Sequence, residues 1–348
     1  MCPYNMTAAL FSISLGTTLT FASSNWLLAW MGLEINSMAI LPLMAQGHHP
    51  RAIEATTKYF LVQTSAAATL LFATTFNATR TGQWDLLETT DPFTISLVTI
   101  ALMFKVGLAP LHAWLPEVVQ GLDFTTIFLL STFQKLAPMA LLMQVHFSPA
   151  EIITLAALIS VVLGGWGMLN QTQIRKIIAY SSIAHLGWIA LTLHFSPPTS
   201  LYNLFLYFAL TCALITLVIA SKGGRLNMFA AGWTKAPVAT ALAPLVLLSL
   251  GGLPPLTGFM SKWLVLRELT NHGLALIPTI AALGALLSLY FYLRLAYATT
   301  LTLSPNTLTG TMPWRLPPSQ LMLPLATSTV MALLLLPLTP AALTVLAP

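Results

Sequence analysis

Six titratable side chains lie inside apolar runs of this chain: Glu34, Lys105, Lys135, Lys262, His112 and His185. A central Lys or Asp costs about 2.5–3.5 kcal/mol on insertion scales, so several in one chain ask for an explanation. Carboxylates, amines and imidazoles share one chemistry, the uptake and release of a proton. Glu34 and Lys105 have opposite charge, and the simplest arrangement pairs them. Moving one partner then changes the protonation of the other, which makes such a pair a switch; the alternative is a static salt bridge locking two helices. Lys135 and Lys262 leave cation in surplus over the one central glutamate, which favours a relay over structural pairing. His112, in LHAWLPE, directly follows a helix break, whereas His185, in YSSIAHLGW, flanks none. Each reads as a relay position or as a hydrogen-bonded structural histidine.

The stretch ALMFKVGLAPLHAWLPEVVQG, residues 101–121, begins like a membrane helix and then meets Lys105, Gly107 and Pro110. A broken helix exposes backbone polar groups, each costing several kcal/mol in hydrocarbon unless it faces protein or water. A lysine beside the break needs the same water, so one hydrated cavity serves both. The break reads GLAPL at 107–111 and recurs as GLPPL at 252–256, with Lys262 shortly after the second. The two lie five helices apart and therefore cross in opposite directions. That spacing predicts two inverted five-helix units, the arrangement that marks an ion pathway in transporters. Chance is the competing explanation, because Gly and Pro are common in membrane helices.

The elements that must position these residues follow from composition. Hydrophobic residues make up 57% of the 348 and charged residues 7%, against about 25% charged in a soluble domain. The chain is therefore an integral membrane protein. About eleven apolar segments reach the roughly 20 residues of a span, near 3–22, 25–45, 56–77, 93–120, 124–145, 150–169, 174–194, 200–220, 237–266, 274–298 and 320–342. The expected organisation is a single all-α membrane domain, antiporter-like, with repeats at 1–145 and 150–298 and a loop plus an added helix at 299–348. No basic region precedes the first apolar run, which is expected to be a retained helix. Arg51, Lys58, Arg175, Lys176, Lys222, Arg225, Lys235 and Arg315 fall on one side and only Arg80 and Arg267 on the other, placing the N-terminus inside and the C-terminus outside.

Other residues read as supporting structure. Trp26, Trp84, Trp114 and Trp233 lie near expected helix ends, as an aromatic belt would place them. Arg294 snorkels to the headgroups, and Glu117 sits at the interface. His48 and His49 are solvated, and Asp85, Glu88 and Asp91 make an acidic loop. Cys2 and Cys212 form no framework and no metal set is apparent, so no bound metal is expected. There is no dinucleotide fingerprint, no P-loop and no recognisable haem pair, so this chain is expected to bind no NADH, ATP, flavin or iron. The basic residues are scattered, which argues against a nucleic-acid partner.

TLTFASSNWLLAWMGLEINSMAILPLMA, EATTKYFLVQTSAAATLLFA, FKVGLAPLHAWLPEVVQGL, TFQKLAP, LNQTQIRKIIAYSSIAHLGW and GGLPPLTGFMSKW together resemble the chain 2 family of NADH–ubiquinone oxidoreductase, a membrane-arm subunit of respiratory complex I, here of the vertebrate mitochondrially encoded type. The resemblance covers essentially the whole chain and is weakest over the last forty residues or so. It implies an antiporter-like fold and proton translocation across the mitochondrial inner membrane, with the N-terminus on the matrix side and the C-terminus on the intermembrane-space side. The drive would be NADH oxidation and ubiquinone reduction elsewhere in the complex, so both are substrates of the whole assembly and no cofactor is bound here. Glu34, Lys105, Lys135 and Lys262 match the family's motifs, with His112 and His185 as intervening relay positions. Implied partners are other complex I membrane-arm and accessory subunits and membrane lipid, cardiolipin among the candidates. Compared with longer bacterial relatives, three N-terminal helices are missing, which leaves a lateral face for another subunit. Two other functions fit the residues: a stand-alone sodium/proton antiporter, which should show a carboxylate cluster, and a structural subunit that transmits motion without carrying protons.

Overall fold

A computed structural model describes residues 3–87, 89, 91–145, 150–221, 223–234, 236–301 and 322–346. Cys2, Glu88, Lys222, Lys235 and Arg315 lie outside the described residues. Every regular element among those described is helical. Helices satisfy their own backbone hydrogen bonds, as a chain of this apolarity requires in hydrocarbon. The chain divides into two compact units, Met1–Ser160 and Val161–Pro348. The first holds α1 (Pro3–Ala22), α2 (Trp26–Met44), α3 (Pro50–Thr81), α4 (Pro92–Val106), α5 (Trp114–Gly121), α6 (Phe124–Ser131) and α7 (Phe133–Gln144); the boundary falls within α8 (Ala150–Met168). The second continues with α9 (Ile174–Thr192), α10 (Pro197–Ser221), α11 (Leu226–Ala230), α12 (Pro237–Gly251), α13 (Thr257–Asn271), α14 (Leu276–Thr300), α15 (Met322–Leu334) and α16 (Thr339–Leu346).

Six helical stretches are long and apolar enough to cross a membrane by length and composition, and a pair bent by 64° at 323–346 makes a seventh. Met6–Ala22, Pro92–Val106 and Val238–Gly251 are apolar but shorter. The last two stop early because a Gly/Pro break ends each. The expected helix at 237–266 is thus two helices, α12 and α13. That at 124–145 is also two, since Thr132 (φ −110°, ψ −78°) separates α6 from α7, a discontinuity the sequence reading did not contain. The helix expected at 56–77 runs instead from Pro50 to Thr81, 32 residues, about 48 Å at 1.5 Å per residue. Pro50 opens it without a lost donor, and His49 accepts from the Arg51 amide. Lys58 is therefore a helix residue, bridging Glu54 at 2.9 Å and Glu117 at 2.8 Å.

One expectation, about the tryptophans, needs correction. The connection between α10 and α12 contains α11 and a 3-10 turn at Ala231–Thr234. The tryptophans do not form one belt: Trp26 is 1% exposed and Trp114 9%, because both pack inside the first unit. The Trp233 indole donates to Thr299 O at 3.0 Å. The exposed loop carrying Asp85 is tied to the α1–α2 turn: the Trp26 amide donates to Trp84 O and the Leu86 amide to Ser24 O.

Without a hydrophobic drive between helices in lipid, small residues decide which backbones approach. Gly16 on α1 and Gly32 on α2 do this. A Cβ on Gly16 would lie 2.9 Å from Gly32 O, and one on Gly32 would lie 2.7 Å from Thr20 Cγ2. The close α1–α2 contact seats α2, and with it Glu34.

Candidate functional site: a lysine-lined cavity in the first unit

The site is built on the end of α4. Gly107 adopts a left-handed conformation (φ 85°, ψ 39°), which glycine reaches without a Cβ penalty. The amides of Gly107 and Leu108 both donate to Met103 O, at 2.9 and 3.1 Å, the closure of a helix whose chain then turns away. A Cβ at Gly107 would press on Leu115 and Trp114 at 3.0 and 3.3 Å, so the break also lets α5 pack back. The turn 107–113 carries a cis Ala109–Pro110 bond.

Lys105 lies in the last turn of α4, the end at which helix polarity favours a cation. It is 7% exposed, and its Nζ makes no hydrogen bond among the described residues. It lines a cavity of about 20 Å³, enough for a water molecule. Lys135 on α7, 3% exposed, lines the same cavity, with Asn36 and Ser37 of α2, Tyr59 and Gln63 of α3, Trp114 of α5, and Gln134 and Pro138 of α7. Pro138 has no N–H to offer the carbonyl of Gln134, so α7 is weakened one turn beyond the Thr132 discontinuity, where Lys135 sits.

Glu34 and Lys105 form no ion pair among the described residues, which corrects the expected pairing. The Glu34 carboxylate is engaged on its own helix instead: the Ser37 hydroxyl donates to Oε2 at 2.7 Å. His112 is half-buried, with Nδ1 3.3 Å from Pro110 O, and does not line the cavity. The first unit thus brings Lys105 and Lys135 together on one cavity, whose lining includes neither Glu34 nor His112.

In the second unit α12 ends in the same way as α4. Gly252 has φ 80° and ψ 42°, and its amide and that of Leu253 reach back to Leu248 O at 3.1 and 3.3 Å. Lys262 does not copy Lys105. It comes from α13, beyond the break, and its Nζ donates to Gly251 O at 2.7 Å. His185 on α9 packs against the Tyr207 ring, 5.9 Å between centroids. On the same helix buried Ser181 and Ser182 donate to Ile178 O and Ala179 O at 2.8 and 2.7 Å.

The sequence reading missed Asn36, Ser37, Tyr59, Gln63, Gln134 and the inward role of Trp114. A signal was present: Tyr59 and Gln63 are four residues apart on one helical face, Asn36 and Ser37 follow Glu34 closely, and Gln134 precedes Lys135. Chemically the cavity offers two amines, a phenol, carboxamides and a hydroxyl, with no carboxylate in its lining. Such a set can hold water and pass a proton.

Comparisons with known proteins agree with this architecture. Residues 23–288 match the family described as "NADH:quinone oxidoreductase/Mrp antiporter, TM", and residues 289–343 match "NADH dehydrogenase subunit 2 C-terminus". The chain is 58% identical over 344 residues to NADH-ubiquinone oxidoreductase chain 2 of Tetraodon nigroviridis, covering 99% of both chains. Among solved structures it matches a chain of respiratory complex I from Thermus thermophilus with bound aureothin, at 28% identity and a TM-score of 0.89, over 99% of this chain and 80% of that one. A chain of the Mrp complex from Dietzia sp. DQ12-45-1b shares the fold, with a TM-score of 0.79 at 16% identity over 97% of this chain and 75% of that one.

Proposed function

The chain belongs to the NADH–ubiquinone oxidoreductase chain 2 family, and from that premise we propose that it is a proton-translocating membrane-arm subunit of respiratory complex I. It moves protons across the mitochondrial inner membrane, driven by NADH oxidation and ubiquinone reduction elsewhere in the assembly, and performs no redox chemistry itself. It binds no cofactor of its own. Its partners are other membrane-arm and accessory subunits and membrane lipid, cardiolipin included. The N-terminus lies on the matrix side and the C-terminus on the intermembrane-space side.

One observation carries the reading: two buried lysines share a water-sized cavity that has no carboxylate in its lining. An amine without a fixed partner is free to exchange its proton with water, and Lys105 Nζ has no hydrogen bond among the described residues. A buried charge of this kind is costly and is kept where proton transfer needs it. Glu34 sets the input by acting on Lys105 through space, and Lys105 and Lys135 exchange a proton by way of cavity water. His112 at the first break, and His185 and Lys262 within the second unit, are the remaining relay positions of this reading. A sodium/proton exchanger fits less well, because it should show a carboxylate cluster, whereas the lining of this cavity carries two lysines and no carboxylate. Replacing Lys105 with Met in the assembled complex tests the proposal. Proton pumping coupled to NADH oxidation should be lost while the complex still assembles; an unchanged proton-to-electron ratio would remove Lys105 from the mechanism.

A further inference from the structure

We propose that Gln134 is a positioning residue that ties the helix of Glu34 to the helix of Lys135, so that movement of the carboxylate on α2 is felt at the lysine on α7. The inference rests on the proton-translocation reading above. Gln134 Nε2 donates to two acceptors of one residue, Asn36 O at 2.9 Å and Asn36 Oδ1 at 3.1 Å. Its Oε1 accepts from the Tyr59 hydroxyl at 3.3 Å. One carboxamide therefore joins α2, α7 and α3 through both its nitrogen and its oxygen. Asn36 lies two residues from Glu34, and Ser37, next along, is the hydroxyl that holds the Glu34 carboxylate. Gln134 adjoins Lys135, and Asn36, Tyr59, Gln134 and both lysines line the cavity.

The local backbone makes this joint able to transmit movement. Gln134 lies between the Thr132 discontinuity and Pro138, whose ring nitrogen leaves the Gln134 carbonyl without its helical donor. A pull on the side chain thus acts on a weakened turn rather than on a stiff helix. Hydrogen bonds in a low-dielectric interior are strong and costly to leave unmade, so α2 and α7 move together at this point.

The test is made in the assembled complex reconstituted in liposomes, with Lys105→Met as the control for the underlying reading. Gln134→Leu removes both the donors and the acceptor. The expected result is loss of pumping per electron while NADH oxidation by the uncoupled complex persists. Gln134→Glu keeps shape and the acceptor for Tyr59, and only its neutral acid can donate to Asn36. Its pumping should recover as pH falls, against a wild-type profile measured in parallel; the titratable groups around the position are Lys105, Lys135, Tyr59 and Glu34. A structural filler would give no such recovery. If Lys105→Met abolishes pumping while Gln134→Leu pumps like wild type, the positioning role is overturned and the relay stands. If Lys105→Met itself pumps normally, the relay reading fails first. A Gln134→Glu profile that follows wild type, or failure of both variants to assemble, shows a purely architectural residue and also overturns the proposal.

Discussion

The Lys262 amine donates to the carbonyl of Gly251 across the break between α12 and α13. A helix end leaves carbonyls without intrahelical partners, and a cation at that end gains from helix polarity as well. Lys262 therefore fastens the break. Lys262→Met should cost about 1.5–3 kcal/mol of stability, the usual worth of a hydrogen bond to a charged group, and Lys262→Arg should keep part of it. Thermal denaturation of the purified complex measures this, and a Met variant as stable as wild type would remove the fastening role.

Lys105 stands in contrast, because its amine makes no hydrogen bond among the described residues. Burying a charge without a close partner is costly, so removing it can stabilise. Lys105→Met should leave the melting temperature of the complex unchanged or raised, even as pumping is lost. A clear drop would mean that the ammonium is structurally engaged.

The two glycines that end α4 and α12 should resist substitution. Alanine in a left-handed conformation costs about 1–2 kcal/mol, so Gly107→Ala and Gly252→Ala should each destabilise by at least that. At Gly252 the new Cβ would lie 2.9 Å from Lys262 Cδ and 3.0 Å from Nζ, displacing the amine from Gly251. Gly252→Ala and Lys262→Met should then be less than additive when combined. Full additivity, read from the melting temperatures of the single and double variants, would mean that the two act separately.

Close packing of α1 on α2 gives a fourth expectation. Gly32→Val places carbon against Thr20 and the Gly16 carbonyl and should cost about 1–3 kcal/mol as overpacking. Gly47→Ala, with open space around its Cβ, should be neutral. Yields of assembled complex on native gels would separate the two, and equal yields would contradict the close contact.

The sequence by itself determined what depends on composition and on local backbone chemistry. Its apolarity required a helical membrane protein, because only self-satisfied helices suit hydrocarbon in a chain without strand patterning. GLAPL and GLPPL announced two broken helices, because a left-handed glycine followed by proline cannot continue a helix. Glu34, Lys105 and Lys135 could be picked out because buried charge is rare in such a chain. Tertiary structure decided who meets whom. It gave the Glu34 carboxylate to Ser37 rather than to Lys105, set Lys262 against a carbonyl, turned Trp114 inward and joined Asn36 to Gln134 across 98 residues. The physical reason is that a side chain's partner depends on how helices distant in sequence pack, and small residues such as Gly16 and Gly32 fix that packing through contacts that no local pattern encodes.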